Sequence, residues 1–209
     1  MLRVPQHDPF FGYFRYLHLN QSLMSPQYCL QILFFVSEVA LLIFKRSKNS
    51  GQRNNKDRRS LLILWIVIFL CFTIGPYSSA YHIWILGNYT IIGYIGIAIC
   101  ILGFAIRWTA VIQLGKMFTV DVTITDEHNL KTTGLYKIVR HPSYLGLILI
   151  IAGLGLCTDS LLSFLIILIP SFWAINYRIK VEEQVLIAEF GEQYINYKKR
   201  VSRIIPGIF

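Results

Sequence analysis

Apolar residues in this chain come in long, nearly unbroken blocks, not in the one-sided stripes that pack a soluble helix against a core. Five blocks stand out, over 28–44, 61–79, 89–112, 143–158 and 160–177. The first three match the roughly 20 residues that carry a helix across a bilayer. The last two are shorter, and only Thr158, Asp159 and Ser160 join them. They are expected to form a tight hairpin that tilts or stops short of the far face. The pattern predicts an all-α integral membrane protein with about five transmembrane helices, the last two a short hairpin.

Within the third block Gly93, Gly96, Cys100 and Gly103 recur at near-helical spacing, and Gly146, Gly153 and Gly155 mark the fourth. Small residues so placed point to close helix packing. Gly153-Leu154-Gly155 lacks the third glycine and the preceding strand of a dinucleotide-binding fingerprint. Glu38 interrupts the first block. It is expected to face the bundle, protonated or hydrogen-bonded; a transport role is the other reading of an acid at that depth.

Outside the blocks the chain changes character. Phe10, Phe11, Tyr13, Phe14 and Tyr16 suit a membrane interface, and 45–59 reads as a flexible polar loop. Val120, Val122 and Ile124 alternate with polar residues ahead of a turn at 125–129, so 113–140 is expected to include a short extended hairpin lying on one membrane face. Thr132-Thr133-Gly134 forms a second turn. Pro142 then fits the first turn of the fourth helix, which leaves His141 beside that helix's free backbone donors. After 177 the sequence is amphipathic: Val181, Val185 and Leu186 lie apart from Glu182, Glu183 and Glu189. Gly191 interrupts this stripe, and Tyr194, Tyr197 and Val201 resume it. Such a segment can lie at the membrane surface and close over a pocket.

Charge orients the blocks. Loop 45–59, segment 107–140 and the stretch from Arg178 to Arg203 together hold 18 of the 20 Lys and Arg residues; Arg3 and Arg15 are the others. With five crossings these three regions share one side. Retention of basic loops in the cytoplasm places the N-terminus outside and the C-terminus inside. The net charge of +9 then serves anionic lipid headgroups, and nucleic acid is not expected as a partner. Cys29, Cys71, Cys100 and Cys157 lie in apolar segments without metal-binding spacing, so they read as packing residues; no metal site and no disulfide framework is expected. No cleavable signal peptide is expected, the first membrane helix directing insertion itself.

Two polar stretches beside the blocks carry candidate chemistry. One is Gly134-Leu135-Tyr136 with Arg140-His141-Pro142-Ser143-Tyr144-Leu145-Gly146. The other is Arg178, Glu182-Glu183, Phe190-Gly191, Tyr194, Tyr197 and a basic run ending at Ile205-Pro206. Arg178 and Glu182, four apart, are neighbours on one helical face, and taken alone they read as an ordinary helix ion pair contributing about 0.3–0.5 kcal/mol. Taken alone, His141 is a helix-terminal residue. What singles them out is the gathering of a histidine, tyrosines, a glutamate and an arginine at one face of the membrane, where polar groups are costly and serve function.

In these stretches the chain resembles the isoprenylcysteine carboxyl methyltransferase family of integral membrane enzymes, in a short, prokaryotic-like form. The resemblance covers roughly 105–209 and rests on Thr-Thr-Gly-Leu-Tyr, Arg-His-Pro-Ser-Tyr-Leu-Gly, the spacing of Arg178 to Glu182-Glu183, and Phe-Gly-Glu-Gln-Tyr-Ile-Asn-Tyr. Lys131 stands where a small aliphatic residue is usual, and Leu135 where proline is common. The resemblance implies S-adenosylmethionine as methyl donor. It places the cofactor site on His128, Asn129, Leu130, Lys131, Tyr136, His141, Pro142, Ser143, Tyr144 and Glu182, and the substrate-carboxylate arginine on Arg178. The chain is expected to divide into N-terminal membrane helices 1–3 (1-112) and a catalytic region (113-209) with a cofactor loop, helices 4–5 and C-terminal amphipathic helices, and the basic asymmetry puts its catalytic surface in the cytoplasm. A lipophilic, isoprenylcysteine-like carboxylate reached from the bilayer is the implied substrate, and membrane lipids are the surroundings.

The residue types agree with that chemistry. Methyl transfer to a carboxylate needs no general base, because the acceptor is ionised near neutrality; it needs in-line placement and loss of water. A guanidinium fork can grip a carboxylate at two points, and tyrosine faces suit a sulfonium cation. Three other readings stay open: N-methylation of a lipid amine, which requires a base; an NADPH-dependent membrane reductase, since such enzymes share an Arg-His-Pro segment; and a non-enzymatic scaffold or transporter.

Overall fold

The computed structural model describes residues 26–44, 55–80, 89–115, 130–158 and 160–207. The expectations for the aromatic residues at 10–16, for most of loop 45–59 and for the extended hairpin around Val120, Val122 and Ile124 fall outside the described residues. Helices dominate the rest: α1 (Pro26–Phe44), α2 (Asn55–Ala80), α3 (Tyr89–Leu114), a 3-10 turn (Gly134–Lys137), α4 (Pro142–Leu156), α5 (Leu161–Phe190) and α6 (Glu192–Arg200).

Three stretches are long and apolar enough to cross a membrane: Asp57–Pro76, Ile91–Leu114 and Leu161–Phe190; Cys29–Ile43 and Pro142–Leu156 are shorter apolar helices. Their outward faces carry large exposed apolar side chains, among them Ile32, Val36, Phe69, Ile101 and Ile112. A soluble chain does not expose so much contiguous apolar surface, whereas lipid accepts it. The molecule is a multi-pass membrane protein.

The hairpin of α4 and α5 differs from its sequence-based expectation. Helix α4 is short, at 15 residues, but α5 runs for 30 residues, about 45 Å at 1.5 Å per residue. No break follows residue 177, because Arg178 to Phe190 contains good helix formers and no glycine or proline. Ser160 caps the start of α5 by accepting from the Ser163 N–H at 3.3 Å, and Gly191, at φ +49, ends it. One continuous helix, with Pro170 inside it, therefore joins the bundle interior to the residues of the amphipathic tail.

Helix α4 lies between α3 and α5, α5 packs along α2, and α1 touches α3 and α4. The α3–α4 contact is a glycine seam. A Cβ on Gly96 would lie 2.6 Å from the Gly153 carbonyl oxygen, and one on Gly146 would lie 2.6 Å from the Arg107 nitrogen. The backbones touch, which only residues without a side chain permit. Phe34, Leu64, Ile68, Leu147, Ile150, Ile175 and Ile179 fill the core where the helices meet. Cys71, Cys100 and Cys157 are buried in the bundle, while Cys29 is exposed; all four are free thiols.

Two polar clusters interrupt this apolar packing. Glu38, 1% exposed, pairs with Arg107 through two contacts of 2.5 Å, and Arg107 Nη1 also donates to the Ser143 carbonyl and hydroxyl at 3.1 and 3.0 Å. Arg107, counted among the basic residues of 107–140, is a buried link from α3 to α1 and α4. The second cluster forms the candidate site.

Candidate functional site

Three chain segments converge beyond the core end of α4. The first is the segment leading into that helix. Gly134, at φ +65, opens the 3-10 turn against Gln113, whose Oε1 accepts from the Leu135 N–H at 2.9 Å. This turn buries Tyr136, and its hydroxyl donates to the Ala110 carbonyl at 3.3 Å. Pro142 then occupies the first turn of α4 and His141 the cap position, as the sequence leads one to expect.

The second segment is the upper part of α5, which presents Arg178, Glu182 and Glu183. The third is the tail. Ser202 makes a parallel bridge with Val139, the Arg140 N–H donates to the Ser202 carbonyl at 2.8 Å, and the His141 N–H donates to the Arg203 carbonyl at 3.1 Å. The C-terminal tail is therefore stitched to the segment carrying His141.

Glu182 and Glu183 do different work although they adjoin. Glu183, 3% exposed, accepts from Arg203 Nη2 at 2.7 Å, from Arg140 Nε at 3.2 Å and lies 3.3 Å from His141 Nε2; Lys198 Nζ is 3.5 Å away. It is the hub that binds α5 to the His141 segment and the tail. Arg140 reinforces the joint by donating to the Lys198 and Val201 carbonyls. Glu182 is about a quarter exposed; the Tyr144 hydroxyl donates to its Oε2 at 2.9 Å, and His141 Nδ1 stands 3.9 Å from its Oε1. The rings of His141 and Tyr144 lie 5.9 Å apart.

Arg178, 1% exposed, does not serve merely as the i, i+4 partner of Glu182. Its Nη1 donates to the Asp57 carbonyl at 3.0 Å, to Asp57 Oδ1 and to Ser60 Oγ at 2.7 Å. The same guanidinium borders Tyr144 and Glu182, so it stands between α2 on one side and the α4–α5 junction on the other.

The structure thus brings Tyr136, His141, Tyr144, Arg178 and Glu182 to one end of the α4–α5 pair. Ser143 is engaged by Arg107, Leu130 and Lys131 are half-buried in the coil ahead of the turn, and His128 and Asn129 lie outside the described residues. Sequence reasoning missed Asp57, Ser60 and the Arg107 link. Tyr194 and Tyr197 also gain definition: Tyr197 donates to the Tyr136 carbonyl at 2.5 Å, while the Tyr194 hydroxyl is buried with no partner among the described residues.

With this arrangement in view, likeness to known proteins becomes informative. The family model of the isoprenylcysteine carboxyl methyltransferase (ICMT) family matches residues 95–188. Protein-S-isoprenylcysteine O-methyltransferase A of Arabidopsis thaliana is 32% identical over 198 residues, covering 91% of this chain and 93% of the relative. The chain belongs to the isoprenylcysteine carboxyl methyltransferase family. The matched region holds Tyr136, His141, Tyr144, Arg178 and Glu182 and excludes Asp57, Tyr194 and Arg203.

Other members match over less of their length. The Tribolium castaneum protein-S-isoprenylcysteine O-methyltransferase is 34% identical over 54% of this chain and 41% of its own. Enzyme B of Arabidopsis thaliana is 33% identical over 54% of this chain and 58% of its own. The matched part of this chain spans about half the length of these two relatives. A solved structure of the eukaryotic intramembrane Ras methyltransferase ICMT matches the fold with a TM-score of 0.62 at 25% identity, over 92% of this chain and 71% of that one.

Proposed function

We propose that this family member transfers a methyl group from S-adenosylmethionine to the carboxylate of a lipophilic, isoprenylcysteine-like substrate that reaches it through the bilayer. The observation that carries the reading is Arg178: a buried guanidinium bordering Tyr144 and Glu182 at the end of an apolar bundle. Arg178 lies 17 residues into α5, roughly 26 Å from its start. That depth suits a substrate whose lipid tail stays in the membrane while its charged end meets the site.

The residues fit the cofactor. Glu182 is aligned by Tyr144 yet partly open, so it can accept from ribose hydroxyls or an amino group. The cap of α4 lacks a side-chain acceptor, which leaves backbone donors for a carboxylate group. The buried Tyr194 hydroxyl has no partner among the described residues, a cost sustained where a ligand supplies the partner. His141, Tyr136 and the Leu130–Lys131 coil complete the set, with His128 and Asn129 assigned by family position. When bound, S-adenosylmethionine supplies an electrophilic methyl carbon on a sulfonium sulfur.

The chain's own part is positioning. Arg178 holds the acceptor carboxylate by charge-assisted hydrogen bonds. No residue has to remove a proton, since the acceptor arrives ionised. Burial strips water from the nucleophile, and the helical turn between Arg178 and Glu182 keeps the two side chains on one face of α5, so that acceptor and donor are held together in line. The basic asymmetry of the sequence supports a cytoplasmic position for this surface, with the N-terminus outside. Single cysteines introduced at positions 52 and 126 of the thiol-free protein would then be labelled from the cytoplasm.

The test is direct. Detergent-purified protein given S-adenosylmethionine with a labelled methyl group and an N-acylated S-isoprenylcysteine should form a base-labile methyl ester. Thermal stabilisation by NADPH and not by S-adenosylhomocysteine, with no ester formed, would overturn the reading in favour of a reductase.

A further inference from the structure

Asp57 is the one acidic residue in a run that otherwise holds Lys45, Arg46, Lys48, Arg53, Lys56, Arg58 and Arg59. An acid in such surroundings would ordinarily pair with its basic neighbours on the surface. Instead it is 1% exposed and meets Arg178, which lies 121 residues away in sequence. It sits in the first turn of α2.

The contact has a particular geometry. Arg178 Nη1 carries two protons and faces three acceptors: the Asp57 carbonyl, Asp57 Oδ1 and Ser60 Oγ. Ser60 itself donates to the Asp57 carbonyl at 2.8 Å, which fixes both residues on the helix end. These three acceptors from α2 meet on one guanidinium nitrogen. The long arginine side chain is therefore held from the α2 side at Nη1, and this anchor helps set how the guanidinium plane faces Tyr144 and Glu182. Asp57 Oδ2 is buried and has no partner among the described residues. Buried polar atoms are ordinarily paired, so the carboxylate engages Arg178 through Oδ1 at the cost of leaving Oδ2 unsatisfied among the described residues.

We propose that Asp57, assisted by Ser60, is a positioning residue that sets the orientation of the Arg178 guanidinium for gripping the substrate carboxylate. This rests on the reading of Arg178 as the carboxylate-binding residue. Asp57 does not touch the acceptor; it acts through Arg178. It also lies outside the segment matched by the family model, so α2 becomes part of the site and not only a wall of the bundle.

The experiment compares wild type with Asp57→Asn, Ser60→Ala and Arg178→Ala, all purified in detergent. Each is assayed for S-adenosylhomocysteine affinity, thermal midpoint, kcat and KM for an N-acylated S-isoprenylcysteine. Inhibition by a non-reacting isoprenyl carboxylate is also compared with inhibition by its carboxamide. Asp57→Asn keeps the shape of the side chain and removes its charge. It should leave cofactor affinity within about twofold, lower kcat/KM by roughly 10- to 100-fold as expected for a misplaced group, and erode the preference for carboxylate over carboxamide. Ser60→Ala should move the same quantities the same way by a few-fold, and it decides the matter if Asp57→Asn does not fold. A lowered thermal midpoint with wild-type kcat, KM and carboxylate preference would make Asp57 purely structural and overturn the proposal. Active Arg178→Ala would instead overturn the carboxylate-grip reading beneath it, whereas inactive Arg178→Ala with fully active Asp57→Asn and Ser60→Ala would remove Asp57 alone.

Discussion

The guanidinium of Arg107 lies across the carboxylate of Glu38, Nε against Oε1 and Nη2 against Oε2, both at 2.5 Å. The pair is buried within the bundle, and Ser143 takes up the remaining Arg107 nitrogen. Its partners come from three helices, so it fixes the approach of α1 to the end of α4 that bears His141. Removing one member leaves the other charge buried without compensation, at a cost of about 3–5 kcal/mol. Glu38→Gln and Arg107→Gln should each lower the thermal midpoint in detergent sharply, while the two combined should recover much of the loss. Equal destabilisation by the double variant and the sum of the singles would show that the two charges do not depend on each other.

Glu182 and Glu183 are adjacent and should behave as opposites. Glu183 draws Arg140, His141, Lys198 and Arg203 together. Glu183→Gln should loosen the 201–207 tail from the His141 segment, seen as faster amide exchange there and earlier proteolysis after Arg200. Glu182→Gln should leave the tail protected and weaken the cofactor. Matching exchange profiles in the two variants would contradict this division.

The tyrosines make the joint sensitive to alkali. Burial pushes the Tyr197 phenol from its ordinary value of 10 up to about 12, and burial also raises Tyr136 and Tyr194 well above the usual range. A phenol whose value is raised on folding favours the folded state fully below pH 10, and that contribution is lost as the pH rises from about 10 to about 12. Stability should therefore decline over this window, with tyrosinate absorbance rising in step with unfolding. Tyr197→Phe should cost about 1–3 kcal/mol at neutral pH by leaving the Tyr136 carbonyl without its donor, and it should flatten the alkaline decline.

Glycine positions on α3 offer an internal control. A Cβ on Gly103 would meet the Ile150 nitrogen at 2.7 Å and the Gly146 carbonyl at 2.8 Å, whereas one on Gly93 meets nothing within 4 Å. Gly103→Ala should destabilise by about 1–3 kcal/mol through overpacking. Gly93→Ala should be neutral or slightly stabilising in the helix. The two thermal midpoints, measured side by side, check the closeness of α3 and α4.

Much of this architecture is legible from the chain because its signals are local. Apolar block lengths mark the helices, Pro142 marks the start of α4, and Gly96, Gly103, Gly146 and Gly153 mark the α3–α4 seam, whereas Gly93 meets nothing within 4 Å and Gly155 faces Phe164 of α5. Gly191, read as an interruption, is indeed where α5 ends. The extension of α5 past residue 177 was concealed by polarity: loss of hydropathy there signals the end of apolar surroundings, not the end of the helix. The site was legible only where its residues share a segment. His141, Tyr144, Arg178 and Glu182 fall in two short motifs, and the family resemblance carries them. Asp57 and Arg107 are different, since each looks like one more charge in a basic stretch until the fold buries it against a partner far away in sequence. The available hints were slight: a lone acid among seven basic residues, with Ser60 three positions on, and an arginine set inside an apolar block opposite the block that holds Glu38.

The central claim is that Arg178 and Glu182, one helical turn apart on α5, serve different ligands. It is tested most directly by measuring S-adenosylhomocysteine affinity and methyl-ester turnover in Arg178→Ala and Glu182→Ala side by side. Arg178→Ala should bind the cofactor as wild type does and form no ester, and Arg178→Lys should also fail because a point charge cannot reproduce a planar fork. Glu182→Ala should lose cofactor affinity by an amount corresponding to about 2–5 kcal/mol, as for a charge-assisted contact in a desolvated site. A fully active Arg178→Ala enzyme, or small and equal losses in both variants, would reduce the two residues to a helix ion pair and contradict the account.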